Sequence, residues 1–156
     1  MIDYTKALTQ GIQAVPESSI KEFFDIINEM PEAISLGLGE PDFITPEHIR
    51  RVGAESLLEG HTKYTQNPGL PELRGEIAAY LQRRFGLVYD AAEEILVTVG
   101  GSEAIDLAIR CLIGPGDEII VPTPTFVCYG PLATVCGGTV KEITAREENG
   151  FRITAE

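Results

Sequence analysis

The stretch Ile95-Leu96-Val97-Thr98-Val99-Gly100-Gly101-Ser102-Glu103 decides the fold. Its first five residues are almost all apolar and β-branched, the pattern of a strand buried on both faces of a parallel sheet. Two glycines and a serine then open a run in which Ile105, Leu107, Ala108, Ile109 and Leu112 recur at helical spacing. Gly114-Pro115-Gly116 closes that helix, and a second apolar strand, Ile119-Ile120-Val121, leads into the loop Pro122-Thr123-Pro124-Thr125-Phe126. A short helix and a strand near Thr139 to Ile143 complete the alternation. Strand, helix, strand, helix, strand specifies an α/β layer architecture with a mainly parallel sheet.

Upstream of this stretch the chain reads as helices and loops. Ser19 with Glu22 forms a capping box ahead of Ile20, Phe23, Phe24, Ile27 and Met30, and Pro31 stops that helix. Ile34-Ser35-Leu36 is a short extended piece, followed by a loop from Gly37 to Thr45. Thr45 is positioned to cap a second helix, with Pro46 first, Glu47 in the first turn and Gly60 beyond the end. The turn-rich link from His61 to Gly69 precedes a third helix whose face is Leu70, Leu73, Ile77, Leu81 and Phe85, ended by Gly86. Downstream, Asn149-Gly150 marks a turn and Phe151-Arg152-Ile153 resumes extended structure. Thr154-Ala155-Glu156 has the look of a helix cap with no helix behind it, which fits either a truncated chain or a frayed polar tail.

Composition narrows the function. The 156 residues have the length of one domain, enough to bury about two thirds of the unfolded surface. With 24 Asp+Glu against 12 Lys+Arg, the net charge of −12 argues against nucleic acid and against an anionic membrane surface. No apolar run approaches the ~18 residues of a membrane span, and the first ten residues lack a signal pattern. Cys111, Cys128 and Cys136 have no metal-ligand spacing and read as reduced thiols of a cytoplasmic protein. An acidic protein handling small molecules is what these exclusions leave.

The glycine turn carries the main chemical signal. Backbone N–H groups at a helix start are unpaired and the dipole is positive there, so a phosphate is favoured at Gly101, Ser102 and Glu103. Equally, Ser102 could simply cap the helix while Glu103 complements the dipole. The segment is neither a P-loop nor a dinucleotide fingerprint, and Gly37-Leu38-Gly39-Glu40-Pro41 is no fingerprint either, because Asp42 follows and no helix opens there. Those glycines suggest backbone exposed to a ligand, or a tight loop. Phe126, at the carboxyl end of a strand, suits stacking on a planar ring or ordinary core packing. Tyr64 beside Lys63 offers a phenol to an anion or a half-buried ring. His48 and His61 have no triad partners, and Glu147-Glu148 reads as a solvated turn.

Together these segments resemble the class I/II aminotransferases, the fold-type-I pyridoxal-phosphate enzymes. Four blocks match in order. The first is Ser35-Leu36-Gly37-Leu38-Gly39-Glu40-Pro41-Asp42-Phe43 with Thr45-Pro46, the second Tyr64-Thr65 through Gly69-Leu70-Pro71-Glu72-Leu73-Arg74. The third is Val97 to Ile105, and the fourth runs from Pro115-Gly116-Asp117-Glu118 through Pro122-Thr123-Pro124-Thr125-Phe126. The likeness is strongest to the bacterial aspartate, aromatic and N-acetyl-diaminopimelate aminotransferases. It implies pyridoxal 5'-phosphate as cofactor, an amino acid and a 2-oxo acid as substrates, and a homodimer. By position it assigns Gly101, Ser102 and Glu103 to the cofactor phosphate, chiefly through backbone N–H groups, and Phe126 to the pyridine ring. It assigns the Gly39 N–H to the substrate carboxylate and Tyr64 to the phosphate of the neighbouring subunit's cofactor.

The same resemblance implies what is missing. Transamination needs a lysine that forms a Schiff base with the cofactor and shuttles a proton. In the family that lysine lies far beyond residue 156, and none of Lys6, Lys21, Lys63 and Lys141 matches its motif. The expectation is an inactive amino-terminal part: residues 1–35 an arm and helix, residues 36–156 the first part of the large cofactor-binding domain. In the family's seven-stranded sheet, later strands separate the first strand from the second and third. Ile95–Val99, Ile119–Val121 and Thr139–Ile143 alone would leave a gap with unpaired edges or force rearranged pairing. Direct pairing of the first strand with the second would contradict that picture. A carbon–sulfur lyase of the same fold is the enzymatic alternative; a non-catalytic chain that binds phosphate ligands or partners an aminotransferase subunit is the other.

Overall fold

A computed structural model describes residues 4–17, 25–27, 29, 30, 32, 34, 36, 39 and 41–154. The expected capping box at Ser19 and Glu22, the residues Ile20, Phe23 and Phe24, the stop at Pro31, Ser35, Gly37, Leu38 and Glu40 lie outside the described residues. So do Ala155 and Glu156. In chain order the helices are α1 (Gln10–Gln13), α2 (Glu47–Leu58), α3 (Pro71–Phe85), α4 (Gly100–Leu112) and α5 (Tyr129–Val135). Strand β1 (Glu118–Thr123) precedes α5 and β2 (Thr139–Thr144) follows it, with 3-10 turns at Tyr4–Ala7 and Glu147–Asn149. The chain gathers into two compact units, residues 18–97 and residues 98–156 with 1–17.

The unit around residues 98–156 is built on a β-α-β crossover. β1 and β2 run parallel, in register from Glu118 opposite Thr139 to Thr123 opposite Thr144. Helix α5 connects them and packs against both strands, α4 and α1. Three residues form the buried apolar centre among those described: Ala133 on α5, Val121 on β1 and Ile109 on α4. A side chain as small as alanine at 133 lets α5 approach the sheet closely, which is why that position is fully inaccessible.

Among the described residues, β1 has a partner strand on one edge alone. The Asp117 carbonyl accepts from the Thr139 N–H and the Thr123 carbonyl accepts from the Ala145 N–H, each at 2.8 Å. Within a strand the two backbone polar groups of a residue point the same way and alternate along the chain. Residues 117, 119, 121 and 123 therefore face β2, and 118, 120 and 122 face the other edge. Pro122, which has no N–H to offer, occupies an edge-facing position where proline is tolerated.

Ile95–Val99 forms no strand, contrary to its sequence pattern. The sheet among the described residues has two strands, β1 and β2, and the Val97 N–H donates to the Pro68 carbonyl at 3.0 Å instead of to a ladder. Leu96 and Val99 are exposed, at 56% and 91%. A doubly buried strand is stabilised only by neighbours on both sides and layers on both faces, and among the described residues no strand pairs with this segment. The family-like pairing of the second and third expected strands forms, and direct pairing of the first with the second does not. Ile34, Leu36, Phe43 and Leu58 are all at least 87% exposed.

The unit of residues 18–97 holds α2 and α3. Residues 25–27 are helical, inside the run expected to end at Met30. Helix α2 begins as expected near Pro46, but Thr45 is not its cap: Pro46 takes that position, and the Thr45 carbonyl accepts from Arg50 Nε at 2.8 Å. Helix α3 ends at Gly86 in the left-handed conformation, as the sequence predicts. Phe151 departs from expectation: its φ of 59° continues the Asn149-Gly150 turn, and Arg152-Ile153 forms no strand.

Candidate functional site

The glycine turn survives the loss of its strand. Helix α4 starts at Gly100, earlier than a Ser102 cap requires, with Val99 in the cap position and no side-chain cap there. Gly100 has a φ of +83°, a conformation that leaves glycine as the residue of choice. Its N–H donates to the Thr98 carbonyl and its carbonyl accepts from Thr98 Oγ1, both at 2.9 Å. The Glu103 carboxylate accepts from the Val99 N–H, so the acidic side chain seals the entrance of the helix.

The next N–H groups, of Gly101 and Ser102, lie in the first turn, where a helix supplies no carbonyl for them. A Cβ built on Gly100 or Gly101 meets nothing within 4 Å, so no neighbour crowds those two positions. Ser102 and Glu103 are exposed. The chemistry of this donor set, backbone amides plus a hydroxyl at the positive end of a 13-residue helix, fits a phosphate group. Further along, Asp106 holds Arg110 at 2.8 Å and raises its pKa through that hydrogen bond and its charge.

Phe126 belongs to the same unit, in the loop that leaves the carboxyl end of β1. It is not core: the ring is 52% exposed and meets Tyr129 edge-on, with centroids 6.2 Å apart at 86°. About half of the Phe126 surface is therefore accessible to a planar partner. Beside it, an apolar hollow of about 260 Å³ runs along Ile119, Ile120 and Val121 to Thr125 and Tyr129.

Tyr64 and Gly39 belong to the other unit. Tyr64 is fully exposed rather than half buried, and it lines an open hollow with Thr62 and Lys63. Gly39 is exposed, with nothing within 4 Å of a Cβ built on it. Of the six predicted site residues, Gly101, Ser102 and Glu103 are thus assembled in one helical turn, with Phe126 in their unit.

Other candidates stay where the sequence put them. His48 and His61 are exposed, His61 lying 3.6 Å from Glu59. The cysteines are free thiols, and burial pushes the Cys128 thiol up. Among the described residues no cluster of three metal-binding side chains occurs, and no helix is long and apolar enough to cross a membrane.

One residue of consequence escapes sequence reasoning. Arg74 is only 6% exposed, donating from Nη1 to the Ala92 carbonyl at 3.0 Å and from Nη2 to Gln66 Oε1 at 3.4 Å. A signal for it exists: position 74 follows Leu70 by four and precedes Ile77 by three, so a charge sits on the apolar stripe of α3.

Comparison with known proteins adds the family context. Residues 31–156 match the family described as aminotransferase class I and II. The aspartate aminotransferase of Pyrococcus abyssi (strain GE5 / Orsay) is 40% identical over 96% of this chain and 39% of its own length. The aromatic-amino-acid aminotransferase 2 of Thermococcus litoralis is 36% identical over 96% of this chain and 39% of its own. Among solved structures, the aspartate aminotransferase from Rhizobium meliloti superposes with a TM-score of 0.85 at 35% identity, covering 95% of this chain and 38% of that one. The chain therefore spans about two fifths of the length of these relatives, 39% for the two sequences above.

Proposed function

Because the chain belongs to the class I and II aminotransferases, a pyridoxal-phosphate-dependent family, we propose that it is the cofactor-phosphate-binding part of a longer enzyme passing an amino group between an amino acid and a 2-oxo acid. The observation that carries this reading is the start of α4. There the turn at Gly100 leads into the first-turn N–H groups of Gly101 and Ser102, and a Cβ built on Gly100 or Gly101 meets nothing within 4 Å. Pyridoxal phosphate, when bound, supplies an aldehyde to carry the amino group and a ring that accepts electrons from the α-carbon.

The chain's own residues do the holding. Gly101, Ser102 and the Glu103 backbone bind the phosphate, and the half-exposed Phe126 ring lies against the pyridine. Gly39 offers its N–H to the substrate carboxylate. Tyr64 reaches the phosphate of the neighbouring subunit's cofactor in a homodimer; its complete exposure supports a role outside its own fold. Residues 1–35 act as an arm, and residues 36–156 open the large domain of a cytoplasmic enzyme.

On this reading the 156 residues alone are inactive. Lys141 is engaged with Glu118 at 3.0 Å, and Lys63 stands in an exposed loop, so neither is placed as a desolvated, activated amine. The test starts with the protein as its native source makes it. Its intact mass is measured, and it is then given pyridoxal phosphate, an amino acid and a 2-oxo acid. A mass well above 16.9 kDa with oxo-acid-dependent formation of a new amino acid supports the proposal. Pyruvate and ammonia released from cystathionine would identify a carbon–sulfur lyase instead. A native mass of 16.9 kDa with no amino transfer would leave a non-catalytic binding chain.

A further inference from the structure

Arg74 is a buried cation with no carboxylate beside it among the described residues, and its Nε has no hydrogen-bond partner. A leucine or methionine would complete the apolar stripe of α3 without desolvating a charge, so stability of that stripe does not explain the residue. What only the guanidinium does is hold two separate acceptors, the Ala92 carbonyl and the Gln66 side chain. Gln66 lies two residues beyond Tyr64. The loop that follows is fixed to the same neighbouring segment twice more, by the hydrogen bond from the Val97 N–H to the Pro68 carbonyl and by the contact of Gly69 with Val97.

We propose that Arg74 is a positioning residue for Tyr64: its bridge from Ala92 to Gln66 fixes the base of the loop from which Tyr64 projects. This rests on the reading of Tyr64 as a cofactor-phosphate contact. The planar guanidinium suits the task, because its donors hold fixed directions that an ammonium cannot reproduce. Tyr64 itself has no such anchor, its side chain standing in solvent.

The test is a set of pyridoxal-phosphate titrations on the protein as its native source makes it, with Tyr64→Phe, Arg74→Met, Arg74→Lys, Gln66→Ala and the double variant Arg74→Met/Tyr64→Phe. Arg74→Met and Gln66→Ala are expected to raise the dissociation constant by roughly tenfold, within the range of coupling between contacting residues. In the Tyr64→Phe background, Arg74→Met should add less than about twofold, the mark of one residue acting through another. Arg74→Lys, which keeps the charge but not the fork, should resemble Arg74→Met. A normal dissociation constant in Arg74→Lys, or full additivity in the double variant, would overturn the proposal while leaving the role of Tyr64 intact. An unchanged constant in Tyr64→Phe would overturn that role and this inference with it. Should Arg74→Met fail to fold, the exposed Gln66→Ala reads the other end of the same bridge, and an unchanged constant there overturns the proposal.

Discussion

A Cβ placed on Gly69 would stand 2.7 Å from the Cβ of Val97 and 2.8 Å from its Cγ2. Gly69 also has a φ of +100° and is buried, so the chain passes through a conformation that L side chains rarely adopt, at a contact that admits no methyl group. This contact fixes the link ahead of α3 to the segment around Val97.

Gly69→Ala therefore combines backbone strain with overpacking, and should lower stability by about 2–4 kcal/mol in urea unfolding. Adding Val97→Ala removes the Cγ2 contact but leaves the Cβ in place, so the pair should recover only part of the loss. Full recovery would mean that the strained φ contributes little.

Glu103 occupies the positive end of α4, where the phosphate site is proposed. Its carboxylate accepts from the Val99 N–H, which stabilises the helix entrance while placing a negative charge beside the proposed anion site. Glu103→Gln keeps an acceptor oxygen and removes the charge. It is expected to tighten pyridoxal-phosphate binding by about two- to fivefold, the scale of one charge at a helix terminus. Titration at low ionic strength checks this, and the gain should shrink as salt is added. Weaker binding in Glu103→Gln would show that the carboxylate supports the site rather than competing with it.

Phe126 is 52% exposed, so its ring contributes little to the fold and is free to contact a ligand. Phe126→Ala should cost less than about 1 kcal/mol of stability, as expected for a half-exposed side chain. Loss of one aromatic stacking contact should raise the cofactor dissociation constant by roughly three- to tenfold, and Phe126→Tyr should restore it. Equal losses in stability and in binding would instead make the ring a packing residue.

Helix α3 and the β1–β2 pair formed as read from local sequence, whereas the caps expected at Thr45 and Ser102 did not. Helix α3 carries its own start at Pro71 and stop at Gly86, and β1 and β2 need only the short α5 between them to pair. Ile95–Val99 reads more strongly as strand than either of those, yet forms none, because a doubly buried strand depends on neighbours that no local pattern provides. The site divides in the same way. The turn that brings Gly101, Ser102 and Glu103 together is legible because a glycine turn opening a helix is local chemistry. Arg74 was not, because its partners lie eight residues before it and 18 after, and pattern reasoning reads a charge on an apolar stripe as an interruption.

Cys128 gives the fold a pH dependence of known sign. Burial raises its thiol pKa above the ordinary value, outweighing the opposing backbone hydrogen bond. The native state then holds this proton at pH values where the unfolded chain has released it, so stability falls with rising pH. The contribution is intact below the unfolded thiol pKa of about 8.5 and is lost as pH rises through the higher native value. The quantity to measure is the difference between the parent and Cys128→Ala in urea unfolding across that range. The parent should lose more stability than the variant, and Cys128 should be alkylated more slowly than the exposed Cys111 at neutral pH. Parallel stability curves would place the Cys128 thiol in water-like surroundings.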